Sequence, residues 1–247
     1  MTGIEELPPP PSLSALCAEG PVAVFLDFDG TLVDIAPTPD SIDVPATLAA
    51  SLRDLSQRLE GRFALISGRA ISDIESHTGA LAIARAGSHG ADRLLADGSP
   101  LSVAPSPLPE DIRKQIARFA ETEGFALEKK PHGAALHYRA DPSLEERGLA
   151  FADGLARAHG LAIKRGKCVI EFVQPGADKG SAVRAYMSHV AFMGAFPLFI
   201  GDDVTDEDGF AAVDEFGGAG ILVGDRQPTL AHWRLEGPEQ VHEWLGL

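Results

Sequence analysis

Five short apolar runs in this chain each end abruptly at a glycine or a polar side chain: VAVFLDF (residues 22–28), RFALIS (62–67), LAIARAG (81–87), FPLFIG (196–201) and AGILVG (219–224). Runs of this length with no polar face read as strands buried on both sides. Between them, apolar residues recur at helical spacing: in ATLAASLRDLSQRLE (46–60), over Ala70–His77, after Lys179, and in DEDGFAAVDEF (206–216). A strand with no polar face must be covered twice, and helices alternating with strands supply that cover through parallel βαβ connections. The expected class is α/β, a Rossmann-like parallel sheet with helices on both faces. Ligands of such sheets bind beyond the carboxyl ends of the strands. The residues just after each run therefore carry the chemistry.

The middle of the chain breaks the alternation. LPEDIRKQIARFAETE, FALEKK, AALHYR, SLEERGLAFADGLARAH, LAIKRG and KCVIEFV follow in the order helix, strand, strand, helix, strand, strand. Adjacent strand pairs imply an antiparallel sheet with helices on one face, an α+β module. The preceding SVAPSPLPE is proline-rich, as linkers often are. The expected organisation is a core over 21–104 and 174–247, an inserted α-β-β-α-β-β domain over 105–173, and a flexible N-terminal tail over 1–20 with a short helix near Leu13–Ala18.

A chain of 247 residues can bury a real core. Its formal charge of −15 opposes nucleic acid and anionic membranes as partners. An anionic substrate would have to meet local positive charge, or a metal, against that field. The two cysteines, Cys17 and Cys168, have neither metal-ligand spacing nor a disulfide framework, which suits a reducing compartment. No run approaches the roughly 18 apolar residues of a membrane helix. The acidic, proline-rich start does not resemble a signal peptide. These features together point to the cytoplasm, and a monomer is the expectation.

In VAVFLDFDGTLVDI a buried strand closes on Asp27 and Asp29, two carboxylates that repel unless a hard cation lies between them or one holds a proton. Gly30 and Thr31 then open a turn whose N–H groups can receive an anion. Taken alone, such a turn is as well explained as a loop cap. Further strand ends add weight. ISGR places Ser67 and Arg69, a hydroxyl and a guanidinium able to hold phosphate oxygens. DKGSAV places Lys179 at a helix start, which the helix dipole disfavours unless negative charge is near. GDDVTDEDGF places Asp202 and Asp203 after Gly201, then Asp206 and Glu207.

In this order the four pieces, DFDGT, Ser67, Lys179 and GDD, resemble the haloacid dehalogenase-like hydrolases. LISGR, AGSHG, ALHYR, KCVIEFVQPGADKG and GDDVTDEDGF together look like the bacterial trehalose-6-phosphate phosphatase family, over nearly the whole chain. The resemblance implies a phosphatase acting through an aspartyl-phosphate on Asp27, with Asp29 as acid and then base. Ser67 and Lys179 would hold phosphoryl oxygens, with Thr31 and Arg69 beside them. Mg²⁺ would bind Asp27, the backbone carbonyl of Asp29, and Asp202, with Asp203 and Asp206 behind.

Chemistry at phosphorus does not select the alcohol, so the inserted cap domain should read the sugar. Glu128 and Lys130 alternate on one strand and His137 and Arg139 on the next, so each pair shares a face. Glu171 lies among apolar neighbours, where an unpaired carboxylate is costly. These residues are the expected sugar contacts, largely from the resemblance. His89 is read equally as a turn residue or a substrate contact, and most of Lys129, Lys164, Arg165 and Lys167 as a solvated face. The alternatives are a phosphatase for a sucrose- or mannosyl-type phosphate, a phosphomutase-like transferase, a phospho-accepting receiver and a catalytically dead regulator. The receiver places its acceptor on a later strand, and the intact motifs oppose the dead regulator.

Overall fold

The run VAVFL forms a strand buried at every position, and the larger part of the chain is built around it. The computed structural model describes residues 7–36, 41–102, 107–130, 132–166, 168–173, 175–176 and 178–247. In chain order the elements are α1 (Leu13–Glu19), β1 (Val22–Leu26), α2 (Leu48–Arg58), β2 (Phe63–Ile66), α3 (Ile71–Thr78), β3 (Ala84–Gly87), β4 (Asp92–Leu94), α4 (Glu110–Glu123), β5 (Ala126–Lys130), β6 (Gly133–His137), α5 (Glu145–His159), β7 (Ala162–Gly166), β8 (Val169–Val173), α6 (Lys179–Met187), β9 (Phe196–Gly201), α7 (Glu207–Glu215), β10 (Ala219–Val223), β11 (Trp233–Leu235) and α8 (Pro238–Leu245). They divide into two units, Met1–Val103 with Asp178–Leu247, and Ala104–Ala177. The expected boundaries, 105 and 173, differ from this by a few residues, and residues 103–106, 174 and 177 lie outside the described ones.

The first unit holds a sheet in the order β11-β10-β9-β1-β2-β3-β4. All its pairings are parallel except the antiparallel β3–β4. The period of two along β1 feeds two cores. Val22, Val24 and Leu26 pack with Leu52 and Leu55 of α2, Ile74 of α3, and Val241 and Leu245 of α8. Ala23 and Phe25 pack with Val183 and Tyr186 of α6 and Phe210 of α7. The edge strands β4 and β11 are too short to show a period in sequence, and the sequence reading does not include them.

The flexible tail expected over 1–20 is corrected for residues 8–19. The Ser12 hydroxyl accepts from the Ala15 N–H at 3.2 Å and caps α1, and Leu13 is buried. The Pro8 carbonyl accepts from the Arg234 N–H at 3.0 Å, and the Pro11 carbonyl from Trp244 Nε1 at 2.8 Å. Proline keeps its acceptor while losing its donor, so this strip can dock through carbonyls alone. Residues 1–6 lie outside the described ones.

The second unit is a four-stranded antiparallel sheet in the order β5-β6-β8-β7. Ala134, Leu136, Ile170 and Phe172 face Ile112 and Ile116 of α4 and Ala152 and Leu155 of α5. The alternate residues of each strand therefore form a second face, turned away from these helices, on which Ala135, Glu171 and Val173 are buried.

Candidate active site

Parallel pairing sets the ends of β1, β2 and β9 side by side, with Leu26 opposite both Leu65 and Ile200. Whatever follows these strands shares one edge of the sheet. Asp27 follows β1, and its N–H donates to the Ile200 carbonyl at 2.9 Å. Lys179 begins α6 and is 2% exposed. Its Nζ stands 2.7 Å from Asp27 Oδ1 and 2.6 Å from Asp206 Oδ1. The negative charge that a lysine at a helix start calls for is thus present in two buried carboxylates.

Carboxylate oxygens of Asp27, Asp202 and Asp206 lie within 4.8 Å of one another. Asp206, expected behind the metal ligands, is therefore part of the cluster, and it is fully buried. A single helical turn over Val204–Asp206 folds it back, and Asp206 Oδ2 accepts the Asp203 N–H at 2.8 Å. Asp203 contributes no oxygen to the cluster. Two glycines make room for the arrangement. Gly30 has φ +79°, and a Cβ there would lie 2.3 Å from Asp202 Oδ2. A Cβ on Gly201 would lie 2.3 Å from Asp206 Cγ.

Burial pushes Asp27 well above the usual carboxylate range; Lys179 opposes this, and Asp206 and Asp202 add to it. Asp202 is pushed up to about 6, by burial first and by Asp206 next. Burial works against the charge on Lys179, but Asp206 and Asp27 outweigh it and hold the ammonium above the ordinary lysine range. Ionised together, the three carboxylates against one ammonium leave two negative charges, with Asp27 and Asp206 buried and Asp202 half-buried. A divalent cation that prefers oxygen ligands matches both the charge and the donors. The like-charged neighbours of Asp27 are Asp206 and Asp202, not Asp29 as the DFD spacing suggests.

Asp29 turns to another partner. Arg69 grips it with two bonds, Nε to Oδ2 at 2.7 Å and Nη2 to Oδ1 at 2.8 Å. Arg69 Nη1 donates to Asp73 Oδ2 at 2.8 Å. Ser67 is buried at the end of β2, and its hydroxyl accepts the Arg69 N–H at 3.1 Å. Thr31, expected at the phosphate, donates instead to Asp202 Oδ1 at 3.2 Å. The His89 ring lies against this turn, since a Cβ on Gly68 would be 2.7 Å from its Cε1. The His89 N–H donates to the Ser67 carbonyl at 2.9 Å.

In the second unit the face turned away from the helices gathers most of the expected sugar contacts. Lys130 Nζ lies 2.5 Å from Glu171 Oε1 and 4.0 Å from Glu128 Oε1. His137 Nε2 is 2.8 Å from Glu128 Oε2, and this hydrogen bond is the main reason Glu128 is held below the usual carboxylate range. Arg139 is corrected: it lies past the end of β6, exposed in a turn, because the strand stops at His137. Lys164 is corrected too. Register places it directly opposite Glu171, and its Nζ is buried, so it does not belong to a solvated face. Lys167 lies outside the described residues.

Sequence reasoning missed two further residues. Asp73 holds Arg69 from α3. Arg226, after β10, donates from Nε to the Asp202 carbonyl at 3.3 Å and pairs with Glu207. Asp73 stands four residues after Arg69, an i,i+4 spacing that could have signalled the pair; no local pattern announces Arg226, whose partners lie 19 and 24 positions away.

Comparison with known proteins follows the same lines. A family model described as trehalose-phosphatase matches residues 25–239. The chain is 37% identical over 244 residues to the trehalose-6-phosphate phosphatase of Escherichia coli, covering 98% of this chain and 90% of that one. It is 38% identical over 212 residues to a probable trehalose-phosphate phosphatase of Sinorhizobium fredii, covering 84% and 79%. Among solved structures, the C-terminal domain of a Candida albicans trehalose-6-phosphate phosphatase matches with a TM-score of 0.82 at 24% identity, covering 99% of this chain and 98% of that one, a likeness of fold. No helix among the described residues is long and apolar enough to cross a membrane.

Proposed function

The chain belongs to the trehalose-phosphatase family, and on that footing we infer that it hydrolyses trehalose 6-phosphate to trehalose and phosphate, the last step of trehalose biosynthesis. The observation that carries the mechanism is the buried Asp27–Lys179–Asp206 contact beside Asp202, at the carboxyl edge of the sheet.

Asp27 is the nucleophile. One of its carboxylate oxygens attacks phosphorus, and the bond from phosphorus to the sugar oxygen breaks. The electron pair goes to that oxygen, which takes a proton from Asp29 and leaves as trehalose. Asp29 then removes a proton from water. The oxygen of that water attacks phosphorus, the bond to Asp27 breaks, and phosphate departs with Asp29 again protonated. Lys179 holds Asp27 in line with two of its three N–H groups engaged, and the third takes a phosphoryl oxygen. Ser67 takes another.

Asp27, Asp202 and Asp206 are the side chains that would hold Mg²⁺, with the Asp29 carbonyl. Bound there, the metal supplies neutralisation of the charge on the phosphoryl oxygens.

Sugar selection is assigned to the face of the second unit's sheet turned away from its helices, to Glu128, Lys130, His137 and Glu171 with Lys164 added. Arg139 and His89 are kept as weaker candidates. Paired charges suit the role: a hydroxyl that replaces one partner leaves no buried group unsatisfied, whereas an analogue without that hydroxyl does.

The test is phosphate release from trehalose 6-phosphate, glucose 6-phosphate, sucrose 6-phosphate and p-nitrophenyl phosphate, each with and without Mg²⁺. Metal-dependent release that strongly favours trehalose 6-phosphate is expected. Equal rates across the sugar esters would remove the selectivity argument. Undiminished rates after chelation would remove the metal.

A further inference from the structure

We propose that Arg69 is a positioning residue that acts through Asp29, fixing the carboxylate that exchanges a proton with the leaving sugar oxygen, and is not itself a phosphate-binding group. The proposal rests on the phosphatase reading above and on Asp29 as its acid and base.

The fork geometry is the first ground. Nε and Nη2 of one guanidinium meet the two oxygens of one carboxylate at 2.7 and 2.8 Å, the planar pairing that defines orientation as well as distance; it is the pairing of the ionised form, and the acid form keeps one of the two bonds while the other oxygen carries the proton. The second ground is that Arg69 is anchored on every side. Its N–H donates to Ser67 Oγ at 3.1 Å, and its carbonyl accepts the Ser88 N–H at 2.7 Å. Its guanidinium lies 5.9 Å from the centre of the buried Phe28 ring. Nη1 is tied to Asp73. The third ground is the contrast in burial. The Arg69 side chain is 11% exposed and that of Asp29 is 34% exposed. Asp29 lies at the open side of the pair, and Arg69 gives it a rigid backing. To bind phosphate through its fork, Arg69 would have to release the group that the reaction needs in place. A carboxylate misplaced by about 1 Å can lose on the order of 100-fold in rate.

The choice of leaving group separates the two roles. p-Nitrophenolate departs without a proton, whereas a sugar alkoxide needs one. Arg69→Ala should lower the single-turnover rate of enzyme phosphorylation by trehalose 6-phosphate by roughly 100-fold or more, the scale of acid–base contributions, and the pre-steady-state release of p-nitrophenolate by less than about tenfold; the later attack of water, which also uses Asp29, slows alike on both esters. In an Asp29→Asn background, adding Arg69→Ala should change the trehalose 6-phosphate rate little, because residues that act as a unit are not additive. Arg69→Lys keeps the charge but cannot form the fork, and should show the same ester preference to a smaller degree. Asp73→Asn should do likewise. These two variants carry the test if Arg69→Ala proves unfolded by circular dichroism. Equal losses in the phosphorylation step on both esters, with a raised KM, would make Arg69 a phosphate-binding group and overturn the proposal. So would a full additional loss in the Asp29→Asn background.

The wild-type lanes keep the two readings apart. If wild type ignores trehalose 6-phosphate, the substrate assignment falls. The Arg69 comparison then runs between p-nitrophenyl phosphate and glucose 6-phosphate, whose alcohol also leaves with a proton.

Discussion

At the scale of single residues, the site is held together by an imbalance. Lys179 offers one ammonium to Asp27 and Asp206, and Asp202 stands within reach of both. Burial makes ionised Asp27 costly, and the other two carboxylates make it costlier. Asp27→Asn keeps the shape and an acceptor for Lys179 while removing one of the crowded charges. It should abolish turnover on every ester. In metal-free buffer its melting temperature should equal or exceed that of wild type, since functional charge clusters are often kept at the expense of stability. A melting temperature well below wild type would mean that Asp27 is needed for the fold rather than for the reaction. Gly30→Ala tests the packing of the same cluster. Its new methyl would meet Asp202 Oδ2 at 2.3 Å, on backbone already at φ +79°. Asp202 must then move, so the Mg²⁺ concentration giving half-maximal activity should rise at least about tenfold, equivalent to roughly 1.4 kcal/mol of binding. An unchanged Mg²⁺ requirement would remove Asp202 from the metal site.

At the scale of elements, the N-terminus of α6 shows how local sequence aims a catalytic group. Asp178 caps the helix: its Oδ1 accepts the Ser181 N–H at 2.6 Å, and Ser181 Oγ accepts the Asp178 N–H at 3.2 Å. This reciprocal cap fixes the first turn, and Lys179 is the first residue of that turn. Asp178→Ala should cost about 1 kcal/mol, a fall of roughly 2–4 °C in melting temperature for a chain of this size. It should also slow turnover, which a kinetic assay beside the melt would detect; unchanged kinetics would show that Lys179 is aimed by its two carboxylates alone. The strand ends were legible in sequence because a parallel sheet carries each of them to one edge whatever the loops do. DFDG, Ser67, Lys179 and GDD could therefore be gathered without coordinates. The roles within GDDVTDE were not legible. A single turn over Val204–Asp206 decides that Asp206 faces Lys179 and that Asp203 does not, and sequence spacing does not encode that turn. Lys164 failed for a related reason. Periodicity gives the face of a residue, but only the β7–β8 register shows that Glu171 is opposite. Arg69 was singled out for the right strand end, yet its partner, Asp29, sits 40 positions away on another strand.

At the scale of the whole molecule, the charge of −15 is the property that the site must overcome. The substrate is itself an anion, so the long-range field repels it, while the ammonium of Lys179 is buried against two carboxylates and projects little field into solvent. Screening over about 10 Å at 0.1 M ionic strength weakens the distant repulsion far more than contacts inside the site. Inert monovalent salt, added from about 20 to about 200 mM at saturating Mg²⁺, should therefore raise kcat/KM for trehalose 6-phosphate, the opposite of the decline seen where a field steers a ligand in. The effect belongs to association, so kcat should stay nearly level while KM falls. A neutral ester is not available for this chemistry, so the internal control is the product. Trehalose carries no charge, and its inhibition constant should not respond to the same salt. If kcat/KM falls with salt instead, local positive potential outweighs the acidic exterior.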